Sequence, residues 1–449
     1  MHAKPSGAFG AFLRRNGVAL LLTAGVFCLM YFTVLRFQFG DNDFDDHMVW
    51  ALAMTPASIR ASFYNGASRL WHICVRFLFL RVTHNLWTAA AITTAAADAA
   101  AYFVIFRAFE YALPERTPPR WLLALLVAAP FVVSALTVPG APFYSGMGAV
   151  NTWHNPTNIV VRPFGAAVFY MTVRIYNRYR FGGRGALAAP DAAVDPYFAD
   201  SFLQRFRRPV YRWWEILLYP LCLLFSVYAK PSFLQFFAPA IFLFLVSDLI
   251  RTKGRIFPFC VKLALPYLPA ALILFAAVFH MFPEGVSVSG EAAETAGSAS
   301  AASGAGIQVY FMQPAFSGIG EFLTELLSRL RIVVLPGAFA FFILLVNGKD
   351  RAWKPVNRLA FLCVLAAFAE YLFLHETGDR SWHGNFTWGL HMAVFLQWGV
   401  AAAQYGALLF DRTVRGRLAR WIGTPLLAWH LASGAAYLVH IYRTVEYLG

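Results

Sequence analysis

Leu70-Trp71-His72-Ile73-Cys74-Val75-Arg76-Phe77-Leu78-Phe79-Leu80-Arg81-Val82 is apolar but short, and a histidine and two arginines interrupt it. Whether this stretch crosses a membrane decides the fold. A helix rises 1.5 Å per residue, so a bilayer core of about 30 Å takes about 20 apolar residues. Eleven other stretches come near that length: 18–35, 85–106, 121–138, 159–173, 213–229, 233–250, 263–282, 332–346, 359–374, 390–410 and 422–441. If 70–82 stays out, the basic clusters at 4–15, 107–120, 174–212, 251–262, 349–358 and 412–420 all fall on one side. They hold 26 of the 37 lysines and arginines. If 70–82 crosses, every later loop flips and most of those cations face outward. Cytoplasmic loops carry the excess of Lys and Arg, so the first threading is preferred. It gives eleven crossings, a cytoplasmic N-terminus and an outer C-terminus, with 70–82 lying on the outer face as an interfacial amphipathic helix.

Composition agrees with lipid as the solvent. The chain has 449 residues, 59% hydrophobic and 13% charged, with a mean hydropathy of +0.56. Soluble domains carry roughly 25% charge. Only helices and closed barrels satisfy their backbone in hydrocarbon. The apolar runs do not alternate, so the fold expected is an all-α integral membrane protein. A net charge of +14 would suggest nucleic acid in a soluble protein. Here it reads as the positive-inside bias, and no nucleic-acid partner is expected. Cys28, Cys74, Cys222, Cys260 and Cys363 lie singly in apolar stretches, without metal or redox spacing. The first run lacks a small-residue cleavage site and reads as an uncleaved helix rather than a signal peptide. The whole chain, 1–449, reads as one polytopic domain. Its first outer loop is 37–84. A second, 283–331, includes a Gly/Ser/Ala-rich stretch at 285–306 that cannot bury a core: a mobile linker or a lid.

The threading also gathers chemistry on one face. Gly40-Asp41-Asn42-Asp43-Phe44-Asp45-Asp46-His47 crowds four carboxylates into six residues. Crowding raises at least one pKa unless a cation neutralises it, and a tuned carboxylate can act as a general base. A solvated acidic turn is the plainer alternative. A divalent cation on oxygen ligands is another, although the spacing is not that of an EF-hand. Asn151-Thr152-Trp153-His154-Asn155-Pro156-Thr157 combines flat aromatic faces with hydrogen-bonding groups, as a sugar site needs. Trp153, His154 and Asn155 are its candidates. Arg162 follows about two turns inside the membrane boundary, where a charge is costly and usually functional, unless it snorkels to the interface. Lys230-Pro231-Ser232 is a tight outer turn; its ammonium either anchors the interface or meets a phosphate. The connector 375–388 holds Arg380, Trp382, His383, Asn385 and Trp388, with no zinc spacing. Arg380 and His383 are candidates for phosphate; Trp382 and Asn385 are candidates for sugar or acceptor. Asp98 lies in mid-span, and His280 and Glu370 lie toward outer ends of spans.

One span, an outer loop opening on an Asp pair, an Arg/His-bearing apolar segment and an Ala-rich second span ending in Phe106-Arg107 together resemble the N-terminal layout of the GT-C superfamily. These are polytopic glycosyltransferases that use polyprenyl-phosphate sugars. The resemblance covers about the first quarter of the chain and rests on layout. It implies that Asp45 and Asp46, with Asp43 as fallback, supply the catalytic base. It also implies an inverting transfer from a polyprenyl-phosphate-linked sugar to a glycan, lipid or protein acceptor at the extracytoplasmic face of a cell membrane. Arg162, Lys230, Arg380 and His383 would hold the lipid phosphate. Asn65-Gly66-Ala67-Ser68-Arg69 stands where common members carry His-Pro-Pro or Lys-Pro-Pro, which leaves subfamily and sugar open. A transporter or flippase of lipid-linked glycans, or a polysaccharide polymerase or ligase, are the alternative functions.

Overall fold

The protein is described here from a computed structural model. It covers residues 8–40, 43–65, 68–112, 118–135, 153, 155–181, 201–281, 286–289, 307–310, 319–348, 350, 353–376 and 385–444. The chain is overwhelmingly helical. α1 (Ala8–Phe37) is followed by short helices α2 (Asp43–Ala53), α3 (Pro56–Asn65) and α4 (Leu70–Leu78). Then come α5 (Leu86–Ala112), α6 (Arg120–Ala128), α7 (Pro156–Phe181), α8 (Phe202–Arg207), α9 (Glu215–Ala229) and α10 (Ser232–Arg251). The rest is α11 (Phe257–Ala264), α12 (Tyr267–Met281), α13 (Ile319–Val346), α14 (Lys354–Phe373), α15 (Trp388–Leu408), α16 (Val414–Leu418) and α17 (Thr424–Thr444).

Among the described residues, six helices are long and apolar enough to cross a membrane: those within α1, α5, α7, α10, α14 and α16–α17. α11 and α12 make a seventh if they count as one bent span. The expected spans 121–138, 213–229 and 332–346 correspond to shorter apolar helices, Arg120–Phe131, Glu215–Ala229 and Val333–Val346. The expected span 263–282 is not one straight helix. Pro266 has no N–H to donate, and the axis bends by 52° between Ala264 and Tyr267. Outward-facing Leu21, Phe32, Ile250, Phe279 and Leu345 are strongly exposed, as suits a lipid-facing surface.

α15 forms the centre. Nineteen of its 21 residues are buried, so it is covered on every side. α13, α14, α10, α7 and α6 pack around it, while α1 packs on α5 and α5 on α7. Polar contacts sort the helix ends. At one end Asn16 accepts from Arg107 and Arg120, Arg178 pairs with Glu215, and Arg358 pairs with Asp248. At the other, Arg36 donates to the Tyr442 carbonyl (3.1 Å), and Tyr228 donates to the Phe63 carbonyl (2.6 Å). The long helices α5, α7 and α10 therefore all finish at the first end, and the shorter α6 and α9, which start there, return the chain between them.

The decisive stretch 70–82 forms α4 and a wider helical turn at Phe79–Thr83. At 1.5 Å per residue the two together reach only about 20 Å, too short for hydrocarbon. Its start lies beside the end of α9, where Ser68 N–H donates to the Val227 carbonyl (3.3 Å). Trp71, His72 and Val75 are buried, and the Trp71 indole donates to Thr94 of α5 (2.9 Å). The long loop contributes one addition to the helices. β1 (Val286–Ser289) pairs in parallel with β2 (Ile307–Tyr310), which pairs antiparallel with β3 (Leu374–Glu376). The low-complexity stretch 285–306 thus opens on a strand, against the expectation of a segment without structure. Alternating Val286 and Val288 favour extended backbone there.

Candidate functional site

The polar cluster at the α9–α10 junction starts from Lys230. Its backbone is extended where α9 ends, and Pro231 sets the turn into α10. The side chain is 6% exposed. Its ammonium lies 3.1 Å from Thr157 Oγ1, 3.5 Å from Asn155 Oδ1 and 4.9 Å from the centre of the Trp388 ring. Asn155 caps α7: its Oδ1 accepts from the Asn158 N–H (3.0 Å) and the Thr157 hydroxyl (2.9 Å). Lys230 therefore stands against a helix N-terminus, whose partial charge is also positive. Two like-signed sources at one point make a place for an anion.

The segment between α1 and α5 borders this point. Phe44 anchors α2, buried against Phe37, Trp71 and Trp87 with ring centres 5.6, 6.1 and 6.4 Å away. One turn on, His47 Nδ1 lies 3.0 Å from His72 Nε2 of α4. Burial holds the His47 pKa well below its ordinary value, and the charges of His72, Lys230 and Arg69 add to that effect. His72 is pushed down to about 3, by burial first and then by Arg69, against a hydrogen bond to the Ser68 backbone that raises it, with Lys230 adding a further lowering. Both histidines feel Lys230 and Arg69, so α2, α4 and the α9–α10 turn share one electrostatic environment. Neutral imidazoles there can relay hydrogen bonds but add no charge.

The expected site residues fall into three groups. Lys230 and Asn155 are brought together. Asp46 sits on α2 with its side chain exposed; Asp43 and Asp45 occupy the same helix, their side chains outside the described residues. Arg162 is elsewhere: its guanidinium pairs with Asp98 at 2.8 Å and lies over the Phe395 ring at 4.8 Å. Trp153 is buried and stacked on Tyr437, ring centres 5.4 Å apart and nearly parallel, so α17 covers one of its faces. His154, Arg380, Trp382 and His383 lie outside the described residues, as does the side chain of Asn385, whose backbone forms a tight turn before α15. Among the described residues no group of three or more His, Cys, Asp or Glu is placed to hold a metal.

Sequence reasoning assigned no role to His47, His72, Arg69 or Thr157. The first directly follows the Asp pair, and the second breaks an otherwise apolar segment; both were visible as misplaced polarity. That they meet across 25 residues was not. The chain matches no family model, no curated protein and no solved structure.

Proposed function

We propose that this chain is a glycosyltransferase that moves a sugar from a polyprenyl-phosphate donor to an envelope glycan, lipid or protein. In this reading eleven passes cross the membrane, with the Arg-rich end cytoplasmic and the Lys230 end extracytoplasmic. The observation that carries the proposal is the buried Lys230 ammonium at the N-terminus of α7, beside α4, to which His47, the residue after the acidic run of α2, is joined through His72. Such a site needs cations for a phosphate and a carboxylate for a hydroxyl proton, side by side.

Lys230 and Arg69, with the N-terminus of α7, hold the lipid phosphate; Arg380 and His383 remain candidates to join them. An aspartate of α2 (Asp45 or Asp46, with Asp43 as fallback) accepts the acceptor's hydroxyl proton. The acceptor oxygen bonds to the anomeric carbon as the bond from that carbon to phosphate oxygen breaks, and polyprenyl phosphate departs with the electron pair. In-line attack inverts the anomeric centre. The leaving group is already an anion, so no general acid is required. A divalent cation would add charge to the phosphate side if one binds.

Purified full-length protein in lipid nanodiscs, given undecaprenyl-phosphate-linked hexoses and pentoses, tests this. Lys230→Gln should weaken binding of undecaprenyl phosphate at least tenfold. Asp45→Asn, Asp46→Asn or the pair should abolish transfer while binding persists. Unchanged transfer in all of these variants would sink the assignment.

A transporter or flippase of lipid-linked glycans is the second reading. The buried Asp98–Arg162 pair, with fully buried Gln397 and His430, favours it, since intramembrane polar groups often mark substrate paths. Translocation of a labelled lipid-linked sugar across liposomes, without glycosyl transfer, distinguishes the two.

A further inference from the structure

Three helix ends converge on Gly389, next to Trp388: the start of α10, the end of α14 and the start of α15. A Cβ added at Gly389 would lie 3.3 Å from Glu370 Oε2, 3.4 Å from the Ser232 carbonyl and 3.2 Å from the Phe236 ring. Glu370 thus rests against the backbone of the residue that follows Trp388, whose ring carries the Lys230 ammonium. Glu370 Oε2 is buried and accepts no hydrogen bond, and the Ser232 hydroxyl, two residues after Lys230, is buried and without a partner too. A buried carboxyl oxygen left unmade costs more than almost any other polar group, and two such atoms at one helix junction are uncommon. Their common solution is a ligand that brings hydroxyls.

We propose that Glu370 and Ser232 form a sugar-hydroxyl subsite beside Lys230. The inference rests on the glycosyltransferase reading above. With a phosphate on Lys230, the sugar bonded to that phosphate lies within a few ångströms of the turn, and Glu370 shares a hydrogen bond with one of its hydroxyls. Ser232 donates to, or accepts from, a neighbouring hydroxyl. Glu370 here is a binding residue that selects and orients the sugar.

The full-length protein in nanodiscs is titrated with three probes. The first is undecaprenyl phosphate alone. The second is undecaprenyl phosphate bearing glucose, galactose, mannose or arabinose. The third is the methyl glycosides of those sugars, added after saturation with bare undecaprenyl phosphate, to report an acceptor sugar. In wild type, one sugar-bearing lipid should bind more tightly than the bare phosphate. Glu370→Leu should lose about tenfold of that advantage (about 1.4 kcal/mol) and leave the bare lipid unchanged. Glu370→Gln should recover part of it, and Ser232→Ala should show a smaller loss of the same kind. Ser232→Ala carries the test if the Glu370 variants do not fold. Loss confined to the sugar-bearing lipids assigns the subsite to the donor, and loss confined to the methyl glycosides assigns it to the acceptor. Equal loss on bare and sugar-bearing lipids, or no loss with any probe, overturns the subsite while leaving the phosphate site intact. If wild type binds none of the lipids, the glycosyltransferase reading falls and the subsite falls with it.

Discussion

The buried ion pair between Arg162 and Asp98 offers the sharpest test of the fold. Both side chains are 2% exposed, one nitrogen and one oxygen are 2.8 Å apart, and α5, α7 and α15 enclose them. Asp98→Asn removes the charge and keeps the shape. The guanidinium then faces a neutral amide in place of a carboxylate, still over the ring of Phe395. Breaking one side of a buried pair costs about 3–5 kcal/mol. The aromatic face returns about 1 kcal/mol of that at most, and it does so in wild type as well. Asp98→Leu combined with Arg162→Met removes both charges and fills the space. That exchange should be near neutral, because it also removes two desolvation penalties. Unfolding in mixed micelles by increasing fractions of SDS reads these differences. The expected order is wild type and the double variant close together, with Asp98→Asn lower by about 3 kcal/mol or more. A single variant within 1 kcal/mol of wild type, or a double variant as weak as the single, would refute the claim that this pair holds three helices together. The double variant should also bind undecaprenyl phosphate as wild type does, since Asp98 already answers the charge of Arg162.

Two further outcomes follow from local geometry. His72 has a folded pKa near 3 against an ordinary value of 6.5, so the unfolded chain takes up its proton first as pH falls. Its contribution to stability is complete above pH 6.5 and drains away toward pH 3. It should amount to about 2 kcal/mol lost between pH 7 and pH 5, and His72→Gln should flatten that part of the SDS-unfolding profile. In α17, a Cβ at Gly434 would fall 1.7 Å from the Val132 carbonyl oxygen, whereas one at Gly17 in α1 would meet nothing within 4 Å. Gly434→Ala should therefore cost about 3 kcal/mol by overpacking, and Gly17→Ala should be neutral or stabilising by up to about 1 kcal/mol from helix propensity. Equal melting temperatures for the two variants would refute the close approach of the 132–135 segment to α17.

The sequence carried the helical, membrane class of the fold, because that depends on a one-dimensional quantity: apolar run length sets what can span. The same one-dimensional reading did not see the bend at Pro266, which depends on a single missing N–H between two otherwise suitable apolar pieces. It did not see the strand at Val286–Ser289 either, since a low-complexity neighbourhood hides a four-residue β pattern. Nor did it distinguish α15, whose Gln397 and Gln404 lower its hydropathy, as the helix buried on all sides. A central helix of a bundle need not be the most apolar one, because its polar side chains meet protein rather than lipid; Gln404, for one, bonds to Asn347 (2.8 Å) and Asn357.

The candidate site was legible as residue types and not as partners, for a related reason. Arg162 and Lys230 look alike in sequence: each is a lone cation at or inside the outer boundary of a span. What separates them is the facing helix. Arg162 lies about two turns below the N-terminus of α7 and meets an aspartate that α5 presents at the same depth, so its charge is used within the bundle. Lys230 lies level with that N-terminus, within reach of a hydroxyl, an amide oxygen and an indole ring. The opposite end of the molecule shows the alternative use of charge. There Arg120 pairs with Glu110, Arg178 with Glu215, and Arg358 with Asp248. One end thus matches cations to carboxylates and closes them off as structure. The other sets Lys230 and Arg69 around a histidine pair kept neutral, at the positive end of α7, with α2 and its aspartates alongside. A buried ammonium set at a helix N-terminus is a place that favours an anion, and that place is at the Lys230 end.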